Sequence, residues 1–374
     1  MILAINLLPL TNKIMKMLKR IDRYIIAKFL GTYFLSIALI ISIAVVFDIT
    51  EKLDNFFGNN VPLEAIVFDY YINFIPYFSI LFSPLFVFIS VIFFTSKMAE
   101  NTEIIAILSS GISFRRMMLP YFISAFIIAA MTFYLNSYVV PKGNIVRLEF
   151  ENQYVKKRFT ETASNIQMEV KPGVIMYLER YDKGRKRGFG FSLEKFEDKK
   201  LVSRMTASNV EWDTLYNWRT NHYLIRHFDG LTERIEKGTY RDTIIPIQPS
   251  DFIVMRGMQE QMTLTELNNY LRKQKARGVG NIKEFELEYH RRFSFPFAAF
   301  ILTLIGVSLS SQKKRGGMGI NIGVGLVLSF SYILLSTVSS TFSINGSMSP
   351  VWAMWMTNFI YLPIGILLYI RAPK

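Results

Sequence analysis

Cysteine is absent from the 374 residues, and histidine occurs only as His222, His227 and His290. The first absence excludes disulfides and thiolate metal sites, though it leaves the redox compartment open. His222 and His227 stand five apart in an expected strand, on opposite faces, which argues against a shared metal. No metal site is expected, and no cofactor.

Catalytic patterns are missing as well. There is no G-x-x-x-x-G-K-[ST], so ATP is not held by a P-loop of this chain. H-E-x-x-H and G-x-S-x-G do not occur. Gly317-x-Gly319 follows no strand and is not a dinucleotide fingerprint. Asn345-Gly346-Ser347 fits a glycosylation pattern, but three residues are weak evidence. The set of catalytic residues is therefore empty.

Charge is scarce and uneven. Asp, Glu, Lys and Arg make up 19% of the chain, against 51% hydrophobic and 15% aromatic residues, and the mean hydropathy is +0.26. That balance describes a polytopic membrane protein with a soluble portion. Phe29–Phe47, Tyr70–Ser96, Met117–Val140 and Phe293–Gln312 are uncharged apolar runs, each able to cross about 30 Å of hydrocarbon with about 20 helical residues. Pro76 and Pro84 lie in the second run and are tolerated in membrane helices. Gly316–Ile370 is uncharged throughout and too long for one crossing; the turn-rich stretch Ser343 to Pro350 divides it into a fifth and a sixth helix. With no ionisable residue in these runs, a proton or sodium relay across the bilayer is not expected.

The basic residues orient six crossings. Lys13, Lys16, Lys19, Arg20, Arg23 and Lys28 precede the first; Lys97, Arg115 and Arg116 lie between the second and third; Lys313, Lys314 and Arg315 lie between the fourth and fifth; Arg371 and Lys374 close the chain. All fall on one side, so the positive-inside rule places both termini in the cytoplasm. The formal charge of +14 then reads as topogenic charge, with no nucleic acid as partner. Met1–Leu10 is apolar but makes a poor signal peptide. Met1, Met15 and Met17 are alternative starts.

Between the third and fourth crossings lies a soluble insertion, 141–292. Its first part, 141–158, continues the third helix. From 165 to 247 short runs rich in Val, Ile, Tyr and Phe alternate with turns at Pro172-Gly173, Glu197–Lys200 and Asp229-Gly230. Strands are expected at 165–171, 174–181, 188–196, 201–212, 218–228 and 232–240, with another at 242–247. This is an antiparallel, jelly-roll-like domain. Thr263 and Glu266 form a capping box for a helix that Gly278 and Gly280 end. The expected domains are 1–140, 141–292 and 293–374.

One charged island stands apart. Lys97–Arg116 contains a short amphipathic helix, about 98–111, with Asn101 or Thr102 as side-chain cap and Glu103 in the first turn, where the helix dipole favours negative charge. Ile104, Ile107 and Leu108 form an apolar stripe, and Gly111 suits the left-handed position after the helix. Two readings fit: a helix lying on lipid headgroups, or a docking helix for a cytoplasmic partner. In the fifth crossing Gly319, Gly323 and Gly325 make a small-residue face that serves either packing within one bundle or an interface.

Several stretches resemble the LptF/LptG permeases. Leu18–Ile25, LKRIDRYI, resembles the L-D-R-Y-I opening of LptG, which makes LptG the nearer of the two. Thr102–Ser113 resembles the S-E-L-x-x-x-x-A-S-G stretch of the family, and Arg291–Phe297 its R-x-F-x-x-P-F/L pattern. The likeness runs from about Leu18 to Ile370.

The resemblance implies a permease subunit in the inner membrane of a Gram-negative bacterium, paired with an LptF-like second permease and bound to a dimeric, LptB-like cytoplasmic ATPase. It implies that lipopolysaccharide is extracted from the outer leaflet through lateral gates of helices one and five. From there it passes over β-jellyroll domains to a bitopic LptC-like partner and a periplasmic bridge. Glu103 would be the acidic residue of a coupling helix that Gly111 ends. The chain departs from the family pattern at the outer end of helix one, where Asp48 and Glu51 accompany the lone basic Lys52. Lipid phosphate contacts would then fall to Lys52, Lys142, Arg292 or the second subunit, unless these side chains merely snorkel. Two other readings remain from the residues: a non-transporting ABC-type scaffold, and a membrane enzyme, which the missing acid–base groups weaken.

Overall fold

The computed structural model describes residues 19–155, 162–182, 184–198, 200–230, 232–249, 257–276, 282–312 and 317–372. The alternative starts, the basic residues 313–315, and the stop signals Gly278 and Gly280 lie outside them. The chain divides into two compact units, residues 1–155 with 286–374 and residues 156–285.

In the first unit, α1 (Arg20–Gly58) is 39 residues long. It starts where the Lys19 amide donates to Asp22 Oδ2 at 2.9 Å. The second apolar run is broken. A π-helical stretch, Ala65–Tyr71, leads into α2 (Ile72–Leu81), and after Phe82 the chain restarts as α3 (Ser83–Glu100). Pro84 sits in the first turn of α3, where its missing N–H costs nothing but ends the preceding helix. Then come α4 (Glu103–Ser109), α5 (Phe114–Tyr134), a π-helical turn Leu135–Val139 and α6 (Val140–Phe150). The π turn precedes Pro141, whose ring disturbs the turn before it. The helical continuation expected past the third crossing runs through a last π turn to Val155.

After the insertion come α8 (Lys283–Ser310), α9 (Gly317–Ile344) and α10 (Pro350–Arg371). The number α7 is kept for the helix of the second unit, Leu264–Ala276. Among the described residues, six helices are long and apolar enough to span a membrane, carried by α1, α3, α5 with its extension, α8, α9 and α10.

The core of this unit gathers Phe29, Tyr33, Phe88, Ile92, Tyr121, Leu302 and Ile305, among others. Polar contacts tie its helices: Tyr33 to Ser83 at 2.9 Å, Thr95 to Tyr121 at 3.0 Å, and Asn321 to Ser96 at 3.2 Å. Tyr332 donates to Asn358 Oδ1 at 2.7 Å, and Asn358 Nδ2 donates to the Ser294 carbonyl at 2.9 Å.

The second unit is a six-stranded antiparallel sheet: β1 (Thr162–Lys171), β2 (Val174–Asp182), β3 (Arg187–Glu197), β4 (Lys200–Thr214), β5 (Asn217–Asp229) and β6 (Thr232–Ile244). Strands adjacent in sequence pair throughout. The separate strand expected at 242–247 is instead the end of β6, after which the chain turns inward: Ile245 N–H donates to the Tyr216 carbonyl at 2.9 Å and Trp218 Nε1 to the Ile247 carbonyl at 3.1 Å. The capping box ahead of α7 forms in both directions, Thr263 N to Glu266 Oε2 at 2.8 Å and Glu266 N to Thr263 Oγ1 at 3.4 Å.

One meander acquires an inside because the sheet is creased. On every ladder one pair is missing where the register on either side of it is the same, and these missing pairs form a row: 165/179, 179/190, 190/208, 208/222 and 222/239. Across that row the core-facing side chains step by three instead of two, from Leu178 to Tyr181, Phe191 to Gly188, Ala207 to Val210 and Tyr223 to Thr220. A flat pleat would turn its inward face outward after such a step. Here β2 to β5 make the step together, so the sheet bends and one face stays enclosed. Gly190 (φ +64) and His222 (φ +52) take the positive φ that the bend demands. Burial among these residues pushes the Tyr181 phenol up to about 12.

The β1–β2 turn carries a stability prediction. Gly173 has φ +75, and a Cβ there would lie 2.6 Å from the Phe196 carbonyl oxygen, a backbone atom that cannot swing away. Gly173→Ala costs roughly 1–2 kcal/mol for the left-handed conformation alone, and the clash adds to it. Thermal unfolding of the second unit, followed by tryptophan fluorescence, is expected to shift down by several degrees. An unshifted transition would mean that the turn relaxes freely.

Candidate functional site

The charged island folds as a helix of about two turns that follows α3 and precedes α5, α4 (Glu103–Ser109). Thr102 is its N-cap residue, but with φ 60 and without a side-chain cap bond. Its hydroxyl donates instead to the Asn101 carbonyl at 2.6 Å, and Asn101 Nδ2 donates to Glu103 Oε1 at 3.1 Å. The expected side-chain cap is thus corrected: with Thr102 in the left-handed region, neither oxygen is turned to the first-turn amides. The other end follows expectation. Gly111 has φ +86 and its N–H donates to the Leu108 carbonyl at 3.1 Å, one of the bonds that close a helix through a left-handed residue.

The apolar stripe faces inward. Ile104 is buried in the bundle core, with Ile107 and Leu108 packed against it, whereas Ile105 is 59% exposed. The surface offered outward is therefore Ile105, Ala106 and Ser109 beside the half-buried Glu103.

Glu103 has a partner that sequence reading missed. The Tyr24 hydroxyl on α1 donates to Glu103 Oε2 at 3.1 Å. Close by, Arg116 in the first turn of α5 grips Asp22 with both nitrogens, Nη1 to Oδ1 at 2.8 Å and Nη2 to Oδ2 at 2.6 Å, and the Asp22 side chain is almost fully buried. Such two-pronged charged bonds are the strong and directional ones. Residues 94 positions apart give no local signal, but the Asp22-Arg23-Tyr24 opening was on view.

The three glycines of α9 separate. A Cβ on Gly319 or Gly323 meets nothing within 4 Å, while one on Gly325 would collide with Ile92 and lie 3.2 Å from Phe88 of α3. Gly325 is a packing glycine of this bundle; Gly319 and Gly323 lie on an open face. That face continues through Ile320, Val324, Val327 and Leu334, all exposed. Only 17% of the apolar window of α1 and 22% of that of α9 is buried, against 78% for α3. α1 and α9 are thus the helices with the most uncovered apolar surface.

The basic residues differ too. Lys52 is turned inward, bonded to Asp48 and Tyr70, with its ammonium 4.6 Å from the Tyr70 ring centre. Asp48 also accepts from Tyr71 at 3.0 Å, so a carboxylate one turn earlier on α1 pairs with Lys52. Arg292 is fully buried and donates from Nε to Glu288 Oε1 at 3.0 Å. Of the three, Lys142 alone is exposed.

In the second unit a cavity of about 290 Å³ has walls from distant parts of the sheet, Val170, Val174, Leu193, Met205 and Ile225 on one side and Thr243 to Pro246 on the other. Met176 is buried beneath the enclosed face and Tyr223 packs on the same core.

Compared with known families, residues 23–371 match the profile of the lipopolysaccharide export system permease LptF/LptG. A comparison with curated proteins gives no match.

Proposed function

The chain belongs to the LptF/LptG family of permeases of the lipopolysaccharide export ABC transporter, and from that premise we propose that it is the LptG-type member of the pair. As a permease of that transporter it is a multi-pass, non-catalytic transmembrane subunit. The Asp22-Arg23-Tyr24 opening of α1 supports the LptG assignment. Both termini and α4 lie in the cytoplasm and residues 141–292 in the periplasm, on the strength of the basic loops. α4 docks on an LptB-like ATPase dimer through Glu103, with Ile105 as its outward apolar contact, while Ile104, Ile107 and Leu108 anchor it to the bundle and Gly111 ends it.

α1 and α9 form the lateral gate with an LptF-like second permease, and Gly319 and Gly323 supply its close-approach face. Lipopolysaccharide leaving the gate passes its acyl chains along the enclosed face of the β sheet toward an LptC-like partner. Lys142 is the phosphate contact this reading favours, since Lys52 and Arg292 are engaged by carboxylates of the chain itself. The single observation that carries the reading is the family match across nearly the whole chain.

The test of its geometry is single-cysteine labelling, which needs no background removal because no native thiol exists. Cysteines at Ser109 and Gln312 are expected to label only from the cytoplasm, and at Asn60 and Ser347 only from outside; all four positions are exposed. External labelling at Ser109 would refute the orientation and with it the docking role of α4. Ser310, in the same connection as Gln312, is fully buried and would report nothing.

A further inference from the structure

Neither docking nor gating, as assigned above, uses the Asp22-Arg23-Tyr24 opening, yet its contacts are specific. Asp22 holds Arg116, which lies beyond the C-terminal end of α4 at the start of α5. Tyr24 holds Glu103, which begins α4. Between them Ile25 is fully buried in the cluster that contains Ile104, with Ile107 packed on it. The Tyr24 ring also meets Phe94 of α3 edge-on, centroids 6.1 Å apart. The first turns of α1 therefore hold the first residue of α4 through Tyr24 and the start of α5, just past α4, through Asp22.

We propose that Asp22 and Tyr24 are positioning residues that transmit displacement of α4 into α1. The proposal rests on the reading of α4 as the ATPase-docking helix and of α1 as a gate helix. Its physical basis is stiffness. The Asp22–Arg116 pair is two-pronged and its carboxylate is desolvated, so it resists shear better than one flexible contact. The Lys19 amide bonds the same carboxylate, so Asp22 also fixes the first turn of α1. A 39-residue helix held at its base turns a small tilt there into a larger displacement at its far end. Glu103 thereby has two functions: it faces the partner, and through Tyr24 it reports to α1.

The experiment uses the complete complex, with ATPase and second permease, in proteoliposomes containing lipopolysaccharide. ATP hydrolysed and lipopolysaccharide released are measured in one sample. Arg116→Lys, which keeps a cation on Asp22 but not the two-pronged grip, and Tyr24→Phe, which leaves Asn101 on Glu103, are expected to leave complex yield and basal hydrolysis unchanged. Lipopolysaccharide released per ATP is expected to fall by roughly 2- to 30-fold, the range for residues that carry coupling without touching either ligand. The exchange Asp22→Arg with Arg116→Asp is expected to recover part of what Arg116→Asp alone loses. An unchanged ratio in both Arg116→Lys and Tyr24→Phe overturns the proposal. So does a fall in hydrolysis and release in step with complex yield, which loss of packing alone would produce. Failure of the docking reading looks different: Glu103→Lys would then leave the ATPase bound.

Discussion

Glu103→Lys is expected to strip the ATPase from the purified permease and abolish transport. Glu103 starts α4, where a negative charge is favoured by the helix dipole and a positive one opposed. Its carboxylate is held in place by Tyr24 and Asn101, each at 3.1 Å, so the group is oriented before a partner arrives. If a basic residue of the ATPase completes the pair, truncation costs about 2–5 kcal/mol, because the remaining charge is left buried and unpaired. That range corresponds to a loss of affinity of roughly 30- to 5,000-fold. Lysine adds like-charge repulsion to the loss. Glu103→Gln keeps the shape and the Tyr24 contact while removing the charge, and is expected to give an intermediate loss of co-purification. A reciprocal reversal on the ATPase is expected to restore part of the binding to Glu103→Lys. Glu100, which lies before the cap, is expected to matter less. An intact complex with normal export in Glu103→Lys would reduce α4 to a surface loop helix.

The membrane half was legible because its physics is blunt. A crossing needs about 20 apolar residues, and the runs that met this became α1, α3, α5, α8, α9 and α10. Turn chemistry was almost as plain. Pro172-Gly173 and Asp229-Gly230 mark hairpins whose flanking residues pair, Lys171 with Val174 and Asp229 with Thr232. The crease was not legible. It depends on neighbouring strands making the same irregular step side by side, and no single strand announces it: Gly190 invites a positive φ, but His222 does not.

Periodicity misled where a face was identified but its cover was not. The stripe Ile104, Ile107, Leu108 predicts that one side of α4 is apolar; it cannot say that the chain's own bundle covers it. Charge misled in the same manner. Lys52 is a lone cation in sequence, yet Asp48, one turn earlier, takes it. The sequence could have given that pair, since residues four apart on a helix are neighbours. Asp22 and Arg116 could not be paired without the fold.

The α9 glycines hold the second large prediction, and they show spacing used too coarsely. Gly319 and Gly323 are four apart and share a face; Gly325, two further on, points roughly 160° away at 100° per residue. Their spacing in the sequence suggests one small-residue face, and the fold divides them. Gly325 lets α9 approach α3, where a side chain would run into Ile92 and Phe88, both fully buried. Gly325→Leu is therefore expected to lower the folded yield and the thermal midpoint in detergent, by about 1–3 kcal/mol or more if α3 cannot shift. Gly323→Trp adds far more volume, but it starts from a Cβ that has nothing within 4 Å and lies on the open face of the helix. It is expected to leave yield and midpoint unchanged and to impair lipopolysaccharide release in the assembled complex, because a bulky residue prevents helices from approaching closely. The pair separates two quantities, folding of one subunit and closure between two. Normal release with Gly323→Trp would mean that the open face of α9 meets only lipid acyl chains, which yield to a large side chain as a packed helix does not.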